Sequence, residues 1–115
     1  MTTEGIEAVF LETHNWGRTA KFFQQLGYEL VSSEGDGSGV LRNGEGAYLV
    51  VVEIPEHREA GMQMVLKVAD EDAFKAGSAA DVVTPFEDTH YGTREMTVRD
   101  PDGRLWSLQA PRAKS

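Results

Sequence analysis

The chain has 115 residues, no cysteine and a net charge of −8 at pH 7. That length sets a single domain, 1–115, and the missing cysteines exclude disulfides and thiolate metal sites. The charge opposes nucleic acid and anionic membrane as partners and mildly favours a cationic small molecule. No apolar run reaches the roughly 18 residues of a membrane span, and the first residues lack the basic and apolar regions of a signal peptide, so a cytoplasmic protein is expected.

In chain order, residues 6–13 alternate as a strand, with Ala8, Phe10 and Glu12 on one face and Val9, Leu11 and Thr13 on the other. Asn15 is placed to cap a helix over 16–26, which Gly27 ends. Strands follow at 28–33, 40–42 and 47–54, joined by a flexible Gly-rich turn at 34–39 and by Asn43-Gly44-Glu45-Gly46. The polar stretch 55–61 reads as a linker between two halves. The second half repeats the pattern: a strand at 62–68, a short helix from Asp70 to 79, a strand at 80–84, a loop at 85–91, and a closing hairpin.

That hairpin is the clearest local signal. Two alternating runs flank Asp100-Pro101-Asp102-Gly103, where Pro101 pre-sets φ, Asp102 offers a side-chain acceptor and Gly103 tolerates positive φ. EAVFLETHN echoes QMVLKVADE, and NGEGAYLVVV echoes DPDGRLWSLQ. The repeat predicts an internal duplication: module one at 5–54, the linker at 55–61, module two at 62–111.

The run G-T-R-E-M-T-V-R-D-P-D-G-R-L-W-S-L resembles the closing hairpin of the vicinal oxygen chelate superfamily, which includes glyoxalase I, bleomycin-resistance proteins and extradiol dioxygenases. Ala20-Lys21-Phe22-Phe23-Gln24-Gln25-Leu26-Gly27-Tyr28-Glu29-Leu30 is similar to that superfamily's helix-to-strand segment. The resemblance implies an α+β fold of two βαβββ modules, with curved mixed sheets around a concave ligand groove. It also places the metal-ligand positions of the metal-dependent members on Ala8, Val50, Gln63 and Ser107. Alanine and valine offer no donor atom, and Gln63 and Ser107 are neutral, so neither metal nor other cofactor is expected. His14, His57 and His90 lack the spacing of a metal pair, and no nucleophile motif is present.

Parity places Phe10, Glu12, Tyr48, Val50, Val52, Gln63, Val65, Lys67, Glu95, Thr97, Leu105, Ser107 and Gln109 on the groove. Trp16, Phe86, His90 and Tyr91 stand at its mouth, although Trp16 also fits a staple for the first helix. Trp106 shares parity with Leu108 and reads as core. The resulting expectation is a metal-independent binding protein of the bleomycin-resistance type that sequesters an aromatic or cationic natural product such as an antibiotic. The alternative is a metal-free isomerase or lyase with Glu95 or Glu12 as general base; a metal-dependent lyase or dioxygenase ranks below both. A homodimer is also expected, with Phe10 near the seam and about 2,000 Å² or more buried in total.

Overall fold

The computed structural model of the chain describes residues 3–35, 37–71, 74, 81–89 and 92–111. It is an α+β protein that divides into two compact units, Ala8–Gln63 and Met1–Glu7 with Met64–Ser115. The second unit thus takes in the first residues of the chain. There the Glu4 N–H donates to the Lys67 carbonyl at 2.7 Å, and the Lys67 N–H donates to the Gly5 carbonyl at 2.8 Å.

The first unit holds most of β1 (Ile6–Thr13), then α1 (Trp16–Gln25), β2 (Glu29–Glu34), β3 (Ser38–Arg42) and β4 (Tyr48–Glu53). Its strands lie in the order β2-β3-β4-β1, with β1 parallel to β4 and the other neighbours antiparallel. Alternation explains the packing. Val9, Leu11, Leu41, Leu49 and Val51 point to the side covered by α1, where Trp16, Ala20, Phe23 and Tyr28 meet them.

The ends of α1 follow their residue types. The Asn15 side chain accepts from the Arg18 N–H at 3.0 Å. A carboxylate oxygen of Glu53, on β4, takes the Trp16 N–H at 2.8 Å. At the other end the Gly27 N–H donates to the Gln24 carbonyl and the Tyr28 N–H to the Phe23 carbonyl. Gly27 has φ +99°, and the Tyr28 and Phe23 rings meet edge to face at 5.6 Å. Those two bonds, the left-handed glycine and the apolar contact together form a Schellman stop.

The second unit holds most of β5 (Met62–Lys67), then β6 (Asp81–Asp88), β7 (Thr93–Arg99) and β8 (Leu105–Pro111). The order is β6-β7-β8-β5, the same as in the first unit when the modules are aligned. One face packs Val68, Leu108 and Ala110 with Leu66, Phe74, Phe86, Met96 and Val98. Of the helix expected from Asp70 to 79, the described part shows the Phe74 N–H bonded to the Asp70 and Glu71 carbonyls; the rest lies outside the described residues. Among the described residues, no helix is long and apolar enough to cross a membrane.

The largest departures from the strand boundaries read from sequence are in β3 and β6. β3 begins at Ser38, inside the stretch read as a flexible turn. β6 runs through Pro85 to Asp88, where a loop was expected. Pro85 is tolerated because β6 is the outer strand of its sheet and its register shifts between Thr84 and Glu87, so the missing N–H interrupts no regular ladder.

Candidate functional site

Each unit has a sheet face turned away from its apolar core, and register fixes what that face carries. Directly opposed residues on neighbouring strands point the same way. In the second unit Glu87, Glu95, Gln109 and Lys67 form one row across β6, β7, β8 and β5, and Thr84, Thr97, Ser107 and Val65 form the next. Leu105 continues the same face two residues before Ser107 and is 41% exposed. Ser107 and Val65 are buried.

Glu95 is the chemically distinctive group of this face. Burial pushes its carboxyl above the usual carboxylate range, the negative charge of Glu87 adds to the rise, and a hydrogen bond with Ser107 opposes it. A half-buried carboxylate directly opposed by Glu87 and Gln109 is poorly solvated. A ligand ammonium or hydrogen-bond donor would replace the lost water contacts.

In the first unit the corresponding face is apolar. Val40, Val50 and Phe10 form a row across β3, β4 and β1, flanked by Ser38, Val52 and Glu12 and by the Tyr48–Ala8 pair. Its polar groups are satisfied within the unit. Glu12 accepts from the Gly61 N–H at 3.1 Å and lies 3.5 Å from the Arg58 guanidinium. Tyr48 receives a 3.0 Å bond from Arg42, whose guanidinium carbon also sits 4.3 Å from the ring centroid. Glu12, proposed from sequence as a base, is therefore a tether for the 55–61 stretch.

Two aromatic residues expected at a groove mouth are core residues instead. Trp16 is 8% exposed and lies over Gly39, where an added Cβ would overlap the indole ring and come 2.8 Å from the Ser32 carbonyl oxygen. Phe86 packs edge to face on Phe74 at 6.1 Å, on the opposite side of its sheet from Glu95. His90 and Tyr91 lie outside the described residues. Gln63, at the end of the first unit, is half-buried.

The fit to a metal fails on donor chemistry. Ala8 and Val50 carry no ligating atom, and Ser107 is engaged with Glu95. Among the described residues no group of three His, Cys, Asp or Glu side chains is arranged to hold an ion.

The sequence matches no protein-family model and no curated protein. Solved structures do match. A glyoxalase/bleomycin resistance protein/dioxygenase superfamily member from Vibrio splendidus 12B01 superposes with a TM-score of 0.68 at 19% identity, covering 95% of this chain and 99% of its own. A Mn(II)-bound glyoxalase from Novosphingobium aromaticivorans gives 0.68 at 12% identity over 98% of this chain, and 42% of its own. BphC, a halotolerant catechol dioxygenase, gives 0.67 at 13% over 99% of this chain and 41% of its own. The chain thus matches under half the length of the last two. At these identities the likeness shows the fold: it is that of the vicinal oxygen chelate superfamily, as the two sequence matches imply.

Proposed function

We propose that this is a metal-independent small-molecule binding protein of the glyoxalase/bleomycin-resistance type, which sequesters a cationic or aromatic natural product such as an antibiotic. The observation that carries the reading is Glu95, a half-buried carboxylate beside Glu87 and the uncharged polar residues Thr97, Ser107 and Gln109. A cation placed against it regains the Coulomb energy that desolvation removes, and the half-buried Thr97 and Gln109 supply hydrogen-bonding groups that fix orientation. The donor-poor set Ala8, Val50, Gln63 and Ser107 supports independence from metal. The acidic chain, at −8, supports attraction of a cation over an anion.

The test is recovery of a co-purified molecule from native protein by mass spectrometry, alongside elemental analysis. A cationic organic species with no stoichiometric metal supports the reading. A divalent ion at one per chain that the ligand requires would overturn it.

A second reading, a metal-free isomerase or lyase, rests on the same carboxylate. A raised proton affinity makes Glu95 a stronger base than an exposed glutamate. Turnover of the recovered molecule by wild type, abolished in Glu95→Gln, would favour this reading over sequestration.

A further inference from the structure

We infer that Asn43 is a site of spontaneous covalent modification, at which the backbone nitrogen of Gly44 closes a succinimide ring and water opens it to an aspartyl or isoaspartyl form. Asn43-Gly44-Glu45-Gly46, the turn between β3 and β4, is exposed along its whole length. Gly44 has no side chain to hinder its approach to the Asn43 carboxamide, and its φ of +58° is one that favours glycine. The bonds that close the turn leave both reacting groups unoccupied. The Gly46 N–H donates to the Asn43 carbonyl at 3.1 Å, and the Arg42 guanidinium is engaged with the Gly46 and Glu45 carbonyls. Among the described residues neither the Gly44 N–H nor the Asn43 side chain has a hydrogen-bond partner.

The chain has one other asparagine, Asn15, and its surroundings are the opposite. The Asn15 side chain accepts from the Arg18 N–H at 3.0 Å. The nitrogen that would attack it belongs to Trp16, which is buried and donates to Glu53 at 2.8 Å. Asp102-Gly103 could close the same ring, but there the Gly103 N–H donates to the Asp100 carbonyl at 3.0 Å. An N–H held by an acceptor must break that bond before its nitrogen can attack. Asn43 is thus the asparagine at which the fold leaves the nucleophile and the carboxamide free together.

The reaction needs no reagent but water. The Gly44 nitrogen loses its proton and bonds to Asn43 Cγ, the Cγ–Nδ2 bond breaks, and ammonia leaves with that proton. Water then cleaves one of the two ring bonds to the Gly44 nitrogen. Cleavage at Cγ gives aspartate. Cleavage at the main-chain carbonyl gives isoaspartate, in which the backbone runs through Cβ. Because the Gly44 N–H must ionise first, the reaction speeds up as pH rises. Either product adds one negative charge to a chain already at −8. The Asn43 Nδ2 lies 3.2 Å from where a Cβ on Gly27 would stand. The aspartyl carboxylate would therefore meet the negative end of the α1 dipole, and the last turn of α1 contains no basic residue to offset it.

The test incubates the full native chain in mildly alkaline buffer, beside the same chain in guanidinium chloride. Both are followed by peptide mapping, with fragmentation that separates aspartate from isoaspartate. The Asn43 peptide of the native chain should convert to both products, faster at higher pH, while the Asn15 peptide stays unchanged. Gly44→Ala should slow conversion at least about tenfold, or about 1.4 kcal/mol of barrier. Alanine is strained at this φ in the folded turn, so the same slowing is also read in the denaturant, where no turn is imposed. Conversion of Asn43 in the denaturant but not in the native chain would overturn the inference, since the fold would then protect the site. So would conversion of native Asn15 at an equal rate, or a Gly44→Ala chain that converts as fast as wild type in both states.

Discussion

The two units have the same strand order and the same kind of closing turn, yet their turns and open faces are built from opposite chemistry. In the first unit Arg42 closes the turn before β4, its guanidinium donating to the Gly46 carbonyl at 2.8 Å and the Glu45 carbonyl at 3.3 Å. In the second, Asp100 does the same work as an acceptor. Its carboxylate takes the backbone N–H groups of Asp102 and Arg104, each at 2.9 Å, and the Trp106 indole N–H at 3.0 Å. The open faces diverge likewise: Phe10, Val40 and Val50 against Glu95, Thr97 and Ser107. The two units can share one strand order because register depends only on alternation and turns. The solvent-side positions are free to change, and the proposed binding chemistry is placed there.

The first unit depends on one large side chain, so the greatest loss is expected there. Trp16→Ala should cost about 3–5 kcal/mol in urea unfolding. Its counterpart from the other side of the contact, Gly39→Ala, should cost about 1–3 kcal/mol, because the ring must be displaced. A near-neutral result for Gly39→Ala would mean that the indole has room to move.

The second unit should instead show its dependence through pH. The Trp106 indole N–H, the Arg104 and Asp102 N–H groups and the Arg104 guanidinium hold the Asp100 carboxyl well below the usual carboxylate range. Its folded proton affinity is lower than its unfolded one, near 3.9. Its contribution is thus present above that value and lost as pH falls towards the folded value. Asp100→Asn should lower the melting temperature at neutral pH and flatten the acid limb of the stability curve. The matching change in the first unit, Arg42→Gln, should lower stability without altering the acid limb.

Much of this architecture is legible in the sequence, and the exceptions share a cause. The bounds of β1, the Asn15 cap, the Gly27 stop and the Asp-Pro-Asp-Gly turn are local signals, decided within a few residues. Trp16, Phe86 and Glu12 are decided by partners far along the chain. Glycine within a strand marks close approach of another group, so Gly39 carried a readable hint that a large side chain lies over it. Nothing near Trp16 in sequence indicates that Glu53, 37 positions away, satisfies its N–H. The Arg58 and Gly61 contacts that occupy Glu12 are equally invisible to alternation, which assigns a face but not a partner.

Smaller effects sharpen the contrast. Asn15→Ala should cost about 1 kcal/mol, since the Glu53 carboxylate still serves one of the first helical N–H groups. Glu95→Gln should act in the other direction. Burial raises the folded proton affinity of Glu95, so the folded state holds a proton that the unfolded state has released, and stability falls as pH rises through that interval. The substitution should remove that fall and leave the protein slightly more stable at neutral pH by thermal melting. An unchanged curve would mean that Glu95 is better hydrated than its burial implies.

The central claim, that the polar face of the second unit takes a cationic organic ligand without metal, is tested most directly by an NMR screen. Chelator-treated, ¹⁵N-labelled protein would be titrated with matched cationic, neutral and anionic aromatic fragments. The account predicts that cationic fragments are preferred, that they shift the amides of Glu95, Thr97, Ser107 and Gln109, and that Glu95→Gln weakens them at least about tenfold, or about 1.4 kcal/mol. Preference for anions, shifts confined to the apolar face around Phe10 and Val50, or binding that appears only on adding a divalent ion would contradict it.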